Sequence, residues 1–186
     1  FTFDGVFGMS SSQHDVYTKI GVPVVQHVLN GFHSCILSYG QTASGKTFST
    51  IGDLDKPALH GLVPRIMYSI LESNRNHDVE HFMELSYVEI YNERIYDLLS
   101  DGCRKGLKLR EREKTKEVYV ENAKSISVSS VKECLNVLAQ GDQQRSIAAT
   151  KMNDHSSRSH AILTLRLTRT DKNNQRRRSE ERRVGK

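Results

Sequence analysis

Apolar residues recur at helical spacing in three parts of the chain. Residues 16–29 follow a run of serines that can cap a helix, and Pro23 would kink or split the helix that they predict. Residues 62–71 carry an amphipathic stripe that is typical of a helix packed against a core. Residues 131–139 resume the helical spacing, and Gly141 is expected near a break. These stretches offer three apolar faces that a sheet could cover.

Alternating or continuous apolar runs predict strands between these helices. The predicted strands cover residues 1–7, 34–39, 82–91 and 161–167, with a further pair inside 107–120 that flanks the charged connection 110–117. Ile95, Leu98 and Leu99 instead have the spacing of a short helical turn. Because strands and helices alternate along the chain, the pattern predicts an α/β layered domain with a central sheet.

The most informative stretch comes directly after the predicted strand at 34–39. Residues 40–47, G-Q-T-A-S-G-K-T, fit the phosphate-binding pattern G-x-x-x-x-G-K-[ST]. Gly40 and Gly45 allow a tight turn in which backbone N–H groups converge on phosphate oxygens. Lys46 supplies positive charge for the β- and γ-phosphates, and a Thr47 hydroxyl can ligate Mg²⁺.

The local context favours this interpretation over an ordinary glycine-rich turn with an exposed lysine. A predicted strand precedes the motif, and residues 46–51 can open a helix after it. The N-terminus of a helix offers free N–H groups and the positive end of its dipole to an anion. Strand, turn and helix therefore stand in the order that phosphate binding requires.

Composition indicates one domain and restricts the function classes. The 186 residues are 37% hydrophobic and 26% charged, and no apolar run approaches the length of a membrane span. Cys35, Cys103 and Cys134 are widely spaced, which favours reduced thiols in an intracellular protein over a zinc site. Because the chain begins with Phe1 rather than Met, we expect it to be part of a longer protein.

The net charge of +5 lies entirely in the C-terminal tail. Residues 169–186 contain eight basic and three acidic residues, so residues 1–168 are neutral overall. The tail has no periodicity, and we expect it to be disordered. A basic tail is poor evidence that the folded body binds nucleic acid, and we expect no nucleic-acid partner.

A second group of polar residues follows the third predicted helix. Residues 153–160, N-D-H-S-S-R-S-H, contain three serines, an arginine and an asparagine that can meet a γ-phosphate and its metal ion. Taken alone, this stretch could be a solvated serine-rich loop. Together with a phosphate loop about 110 residues upstream, it predicts a nucleotide-sensing switch.

These segments together resemble a kinesin motor domain. The matching stretches, in the order of that family, are F-T-F-D-G-V-F at 1–7, Y-G-Q-T-A-S-G-K-T at 39–47, G-L-V-P-R at 61–65, V-E-I-Y-N-E at 88–93 with D-L-L at 97–99, and residues 153–160. The resemblance covers residues 1–168. It implies an incomplete P-loop nucleoside triphosphatase of the kinesin type, with a central, mostly β-sheet layer flanked by helices.

The resemblance also implies a function for the full-length parent. ATP and Mg²⁺ would be its cofactors, and hydrolysis would drive movement along microtubules, with tubulin as partner. The expected location is cytoplasmic, on the microtubule cytoskeleton. Coiled-coil regions outside this chain would allow a homodimer, and no membrane span is expected.

Individual residues receive roles from the same resemblance. The nucleotide-binding residues would be Gly40, Gln41, Thr42, Ala43, Ser44, Gly45, Lys46, Thr47 and Phe48. Phe48 falls where the family packs a ring on adenine, although a core role on the helix face is equally open. Thr47 and Ser157 would ligate the metal ion. Asn153 and Ser156 would position the lytic water or the γ-phosphate, and Arg158 would pair with a glutamate of a second switch.

Two surface segments also match the family. Residues 53–60 correspond to a loop near the nucleotide site, and residues 110–117 correspond to a lobe that touches tubulin. Lys114 and Lys116 would meet the acidic tubulin surface, although a solvated hairpin tip is an equally good interpretation. Asn92, Glu93 and Asp97 are better interpreted as turn and cap residues than as catalysts.

The sequence departs from the family in what it lacks. The second switch carries Asp-x-x-Gly followed by Glu, and no Asp-x-x-Gly occurs in these 186 residues. The Arg-x-Arg-Pro segment that contacts adenine is also absent before Phe1. We therefore expect residues 1–168 to form a partial motor domain that is hydrolysis-deficient alone. Residues 179–186 do not resemble the family, and we assign 169–186 to a separate basic tail.

Two hypotheses from other function classes stay open at this point. A non-motile microtubule-binding or regulatory protein could retain nucleotide binding without turnover. A basic nucleic-acid-binding protein is supported only by the tail. A different phosphate-loop enzyme would leave residues 153–160 unexplained.

Overall fold

The protein is built around a central β-sheet. The structure, a computed structural model, describes residues 1–73, 79–100, 105–114, 116–151, 158–171 and 176–185. The strands are β1 Ser34–Leu37, β2 Val79–Tyr91, β3 Arg94–Asp97, β4 Leu109–Glu111, β5 Val118–Val120, β6 Ile126–Val128, β7 Ser159–Asp171 and β8 Arg176–Gly185. Six of them form one sheet in the order β1-β8-β7-β2-β3, with β6 also paired to β2, while β4 and β5 form a separate hairpin.

The helices pack against this sheet. They are α1 Gln13–Val16, α2 Val22–Leu29, α3 Lys46–Thr50, α4 Leu62–Ser73 and α5 Val131–Lys151, with a π-helical segment at Tyr17–Gly21 and a 3₁₀ turn at Pro57–Leu59. Ile70 on α4 and Leu138 on α5 are fully buried in the same cluster as Leu85 of β2. The predicted α/β architecture is confirmed. No helix in the described ranges is both long enough and apolar enough to cross a membrane.

The longest pairing of the sheet joins β2 and β7. The two strands run antiparallel, with a register that extends from Val79 opposite Asp171 to Tyr91 opposite Ser159. Leu85 lies opposite Leu165, and both are at most 3% exposed. Because alternate residues of a strand face opposite sides, this register brings alternate side chains from Met83 to Tyr87 and from Ala161 to Leu167 to the face that α4 and α5 cover.

Pro23 does not split the first helix. The chain stays helical from Gln13 to Leu29, but it widens into a π-helical segment directly before α2. There the Val22 N–H donates to the Tyr17 carbonyl, and Pro23 follows in the first turn of α2. Proline has no N–H to donate, and the first turn of a helix is where that loss is tolerated. The expected kink is therefore replaced by a local change in winding.

Gly141 does not break α5, in contrast to our expectation. The helix continues ten residues beyond it to Lys151. A Cβ atom at Gly141 would lie 2.1 Å from Cδ1 of Tyr87 on β2. The Tyr87 hydroxyl donates to the Asp142 carboxylate at 3.2 Å, and burial raises the pKa of this phenol above its ordinary value. Glycine is therefore used here for close packing of helix on sheet rather than for a break.

Two predicted elements are wrong. Residues 1–7 form no strand, because Phe1, Phe3 and Val6 are all exposed and offer no buried face to a neighbouring strand. The helical turn predicted at 95–99 is instead strand β3. Asn92 and Glu93 both adopt positive φ, 47° and 59°, which is the geometry of a tight turn that folds β3 back onto β2.

The basic tail is also ordered where the structure describes it. Residues 169–171 continue β7, and Arg176–Gly185 form β8, in contrast to the disorder that we expected for 169–186. Strand β8 runs antiparallel to β7 and parallel to β1, so it lies between them in the sheet. Both neighbours have unpaired backbone N–H and C=O groups along these edges, and pairing with the tail satisfies them.

The contact between Gly141 and Tyr87 gives a testable prediction about stability. We expect Gly141→Ala to lower the free energy of unfolding by about 1–3 kcal/mol, because the new methyl group overlaps the Tyr87 ring. The melting temperature should fall by about 2–10 °C, measured by thermal denaturation monitored by circular dichroism.

Gln144→Ala is the matched control, since Gln144 is exposed on the same helix. Alanine is the better helix former at both positions, so helix propensity alone would raise the melting temperature of both variants. A melting temperature for Gly141→Ala at or above that of the unmodified chain would contradict the packing argument.

Candidate functional site

The predicted phosphate loop connects β1 to α3 in a strained turn. Gly45 has a φ of 85° and precedes the first residue of α3. A Cβ atom on Gly40 would lie 2.6 Å from Oγ of Ser44, so the loop closes too tightly there for a side chain. Ala43 also has positive φ, 65°, which is unfavourable for a residue with a Cβ atom. Such strain is typical of sites whose backbone is held in place for binding.

Lys46 directs its charge into this loop. Its Nζ donates to the carbonyl oxygen of Gly40 at 2.6 Å and to that of Gln41 at 2.5 Å. The ammonium group therefore lies against the same turn whose glycines the motif requires. Thr47 follows in the first turn of α3 and is half-buried. Ammonium, hydroxyl and a glycine turn together fit a magnesium-bound polyphosphate, since Mg²⁺ prefers oxygen ligands and phosphates.

A cavity of about 800 Å³ opens beside the loop. It is lined by residues 37–48, which include every nucleotide-binding residue predicted from the sequence, and by Arg145, Ser159 and His160. Ser159 and His160 begin strand β7 and end the second predicted motif. The fold thus brings the phosphate loop and the end of the serine-rich motif to one cavity, although 113 positions separate Gly40 from Asn153.

The other residues of the second motif divide into two groups. Asn153, Ser156 and Ser157 lie outside the described residues. Arg158 is described and exposed, and it directly precedes Ser159 at the edge of the cavity. The roles that the family resemblance implies for these four residues therefore stay predictions.

Phe48 lines the cavity, and its side chain is 53% exposed. This exposure favours a role at the site over the alternative of a core position on the helix face. The Phe48 carbonyl accepts a hydrogen bond from Nε2 of Gln13 at 2.6 Å. Because α3 has only five residues, its last carbonyls lack partners within the helix, and the buried Gln13 amide supplies one.

Sequence reasoning did not single out Gln13, Glu89 or Arg145. Glu89 of β2 is 0% exposed, and its Oε1 accepts from Nε of Arg145 on α5 at 3.2 Å. Nη2 of Arg145 also donates to Oγ of Ser159 at 3.1 Å. One signal was available, because Glu89 belongs to the same alternating row of β2 as the apolar residues Leu85 and Tyr87. A buried carboxylate of this kind needs a cationic partner.

The surface loop after α3 is closed at its base by backbone contacts. The Asp53 N–H donates to the Leu59 carbonyl, and the Gly61 N–H donates to the Ile51 carbonyl. A Cβ atom on Gly52 would lie 2.0 Å from the Leu59 oxygen, so two backbone segments meet here without room for a side chain. The loop at 53–60 therefore leaves and rejoins the body of the domain at one point.

Among the described residues of the β4–β5 hairpin, three ion pairs and one lysine outside them are found. Arg110 pairs with Glu121, Arg112 with Glu117, and Lys116 with Glu111 at 3.2, 3.3 and 3.3 Å. Lys114 lies at the exposed tip, and within the described ranges it forms no salt bridge. The structure therefore distinguishes the two lysines that the sequence treated alike.

Asp97 acts as a structural residue, as its interpretation from the sequence proposed. Its carboxylate accepts from the Leu99 N–H at 2.8 Å and from the Lys124 N–H at 2.7 Å. These bonds join the end of β3 to the segment before β6. Across the described residues, no cluster of three or more His, Cys, Asp or Glu side chains could hold a metal ion.

Comparison with known proteins identifies similar sequences along the whole chain. A family model described as the kinesin motor domain matches residues 1–186. This match includes residues 179–186, which we expected to fall outside the family. Kinesin-related protein 7 of Dictyostelium discoideum is 38% identical over 175 residues, which cover 90% of this chain and 14% of that protein. The kinesin heavy chain of Neurospora crassa is 42% identical over 173 residues, 90% of this chain and 18% of that protein.

A solved structure gives the same result in three dimensions. The structure of a fast kinesin superposes with a TM-score of 0.90 at 36% sequence identity, covering 100% of this chain and 52% of that one. The kinesin-like protein Klp68D of Drosophila melanogaster is 38% identical over 172 residues, 92% of this chain and 22% of that protein. The chain thus spans between a seventh and a quarter of these curated relatives, and about half of the solved one.

The hydrogen bond between Gln13 and Phe48 predicts a measurable contribution to stability. We expect Gln13→Met to lower the free energy of unfolding by about 1–3 kcal/mol, because the Phe48 carbonyl would lose its donor in a partly buried position. The melting temperature should fall by about 2–10 °C in a thermal scan.

Gln26→Met serves as the control, because Gln26 is exposed on α2 and its substitution should change the melting temperature by no more than about 2 °C. Equal melting temperatures for the two variants would show that the Gln13 bond contributes nothing.

Proposed function

This chain belongs to the kinesin motor domain family, and on that premise we propose that it binds Mg-ATP at residues 40–48. In its full-length parent, hydrolysis of this ATP drives movement along microtubules. None of the comparisons favours the alternative of a non-motile microtubule-binding protein without turnover.

One observation carries the nucleotide-binding part of the proposal. The cavity beside the phosphate loop is lined by residues 37–48 together with Arg145, Ser159 and His160. Its volume of about 800 Å³ lies within the range of ordinary small-molecule and cofactor sites. A nucleotide in this cavity would have its phosphates at the loop and its reacting end near the start of β7.

The residues of the chain would act by positioning and by neutralising charge. The loop amides and the Lys46 ammonium group hold the phosphates, and the exposed Phe48 ring contacts the base. Thr47 and Ser157 are the proposed metal ligands, and bound Mg²⁺ would neutralise negative charge on the phosphate oxygens.

The serine-rich segment has the remaining proposed roles. Asn153 and Ser156 orient the attacking water or the γ-phosphate, and Arg158 pairs with a glutamate of the second switch. No Asp-x-x-Gly of that switch occurs in these 186 residues. We therefore propose that this chain by itself binds nucleotide but turns it over poorly.

Microtubule contact is assigned to the β4–β5 hairpin. The exposed Lys114 ammonium group can meet an acidic surface without first breaking an ion pair, whereas Lys116 is already paired with Glu111. Lys114 is therefore the stronger of the two proposed contacts. We also propose a cytoplasmic location on microtubules and a homodimer formed through coiled-coil regions outside this chain.

The central test of nucleotide binding is Lys46→Met. We expect the Kd for Mg-ATP to rise at least about tenfold, which corresponds to about 1.4 kcal/mol, because the phosphates would lose their nearest cation. Isothermal titration calorimetry, or the fluorescence of a labelled ATP analogue, measures this change directly.

Lys56→Met is the matched control for this test. Lys56 is an exposed lysine of the neighbouring surface loop, it pairs with Asp53, and it does not line the cavity. Its substitution should leave the Kd within about twofold of the unmodified value. Unchanged nucleotide affinity in Lys46→Met would overturn the proposed function.

The hairpin assignment predicts different effects for the two lysines. In the full-length parent, we expect Lys114→Gln to weaken microtubule binding by about two- to fivefold at low ionic strength, and Lys116→Gln to weaken it less. Co-sedimentation with microtubules at increasing salt measures both, and the difference should shrink as salt screens the charges.

Lys132→Gln, an exposed lysine at the start of α5, controls for the loss of one positive charge anywhere on the surface. Equal losses for Lys114→Gln and Lys132→Gln would exclude a specific contact at the hairpin.

A further inference from the structure

The ion pair between Glu89 and Arg145 is almost completely buried, although the stability of the fold does not require a buried ion pair. The side chain of Glu89 is 0% exposed and that of Arg145 is 7% exposed, with 3.2 Å between Oε1 and Nε. Removing both charges from water costs several kilocalories per mole for each ion, and apolar residues of similar volume are often as stabilising. The free energy of folding alone therefore does not explain why this position holds a buried ion pair.

The position of the pair suggests that explanation. Arg145 lines the cavity beside the phosphate loop, and its Nη2 donates to Oγ of Ser159, which also lines that cavity. Glu89 lies on β2, Arg145 on α5 and Ser159 at the start of β7. One guanidinium group thus joins three elements at the wall of the cavity.

The backbone already holds Ser159 in the sheet. Ser159 lies opposite Tyr91 in the β2–β7 ladder, so the strand does not need Arg145 to keep its register. The side-chain bond instead fixes the Ser159 hydroxyl. Because the oxygen accepts from Arg145, the hydroxyl hydrogen must point away from the guanidinium group. Within the described residues, the structure shows no acceptor for that hydrogen.

Glu89 has a complementary effect on Arg145. An arginine side chain has many rotamers, and a carboxylate on its Nε limits the directions that its remaining N–H groups can take. The carboxylate comes from β2, the same strand that pairs with Ser159 through Tyr91. The two residues that Arg145 contacts, Glu89 and Ser159, therefore both belong to the rigid ladder of β2 and β7.

We propose that Arg145, held by Glu89, is a positioning residue for nucleotide turnover, because it orients the Ser159 hydroxyl toward the phosphate loop. This inference rests on the proposed function and deepens it. Lys46, which lines the same cavity from the phosphate loop, holds the phosphates in the ground state. Loss of the Arg145 contact should therefore lower kcat much more than it weakens ATP binding, since a small displacement of a positioning group affects the transition state most.

The decisive variant replaces both charged residues at once. Glu89→Met with Arg145→Met removes the pair without leaving a buried charge, so the fold should be retained. In the full-length parent, we expect kcat of microtubule-stimulated ATP hydrolysis to fall at least about tenfold, while the Kd for Mg-ATP stays within about threefold. The melting temperature should remain within about 4 °C of the unmodified protein.

Two further variants separate positioning from a purely structural role. Arg145→Lys keeps the charge but offers a single terminal group, and it should recover only part of the lost kcat. Ser159→Ala removes the acceptor of Arg145 Nη2 but keeps the ion pair, and it should lower kcat while the melting temperature falls by no more than about 2–10 °C. Gln144→Met, an exposed neighbour of Arg145, is the control and should alter neither quantity.

The outcomes are distinguishable. If the unmodified protein does not bind Mg-ATP, the proposed function itself fails. If it binds and hydrolyses ATP but the double variant and Ser159→Ala both keep full kcat, the ion pair is structural and this inference is overturned. Should the double variant melt below the assay temperature, the kcat of Ser159→Ala decides between the two roles.

Discussion

The antiparallel pairing of β2 with β7 determines where both the core and the site lie. Its register places Met83, Leu85 and Tyr87 on the face that α4 and α5 cover. The next residue in the same row is Glu89, because side chains two positions apart share a face. The row therefore passes from the apolar core to a buried carboxylate at the end where β7 begins. The buried charge thus lies where the row reaches Arg145, which in turn contacts Ser159, and both of these residues line the cavity.

The phosphate loop shows how much of a site local sequence can specify. Residues 40–47 were recognised from spacing alone, because each fixed position has a local physical requirement: a turn too tight for a side chain at Gly40, a left-handed backbone at Gly45, and an ammonium group at Lys46. The strand before it and the helix after it followed from the same pattern. By contrast, Glu89 and Arg145 are 56 residues apart, and only the packing of α5 on β2 brings them together. Pairing of this kind has no local signal beyond the presence of a charge in an apolar row of the strand.

The incorrect predictions have a common physical origin. Gly141 has a low helix propensity, but the Tyr87 ring requires a residue without a side chain there, and packing overrides propensity. Residues 1–7 alternate like a strand, but Phe1, Phe3 and Val6 are exposed and offer no buried face to a neighbouring strand. The tail at 176–185 is too charged to form a core, yet its backbone can still complete the sheet between β1 and β7. In each case the outcome depends on whether a packing partner is present, which residue-by-residue patterns do not reveal. For Gly141 and the tail, that partner, Tyr87 or β1, lies far along the chain.

The closed base of the loop at 53–60 has a consequence for how this domain can vary. The Asp53 and Gly61 N–H groups bond across the neck of the loop, and Gly52 lets the two backbones touch. Since the neck is fixed, lengthening the intervening segment adds only a slowly growing closure entropy, about 0.6 kcal/mol for each doubling. The loop is thus a modular insertion point: a peptide tag or a fluorescent reporter could be grafted there while α3 and α4 keep their places beside the cavity.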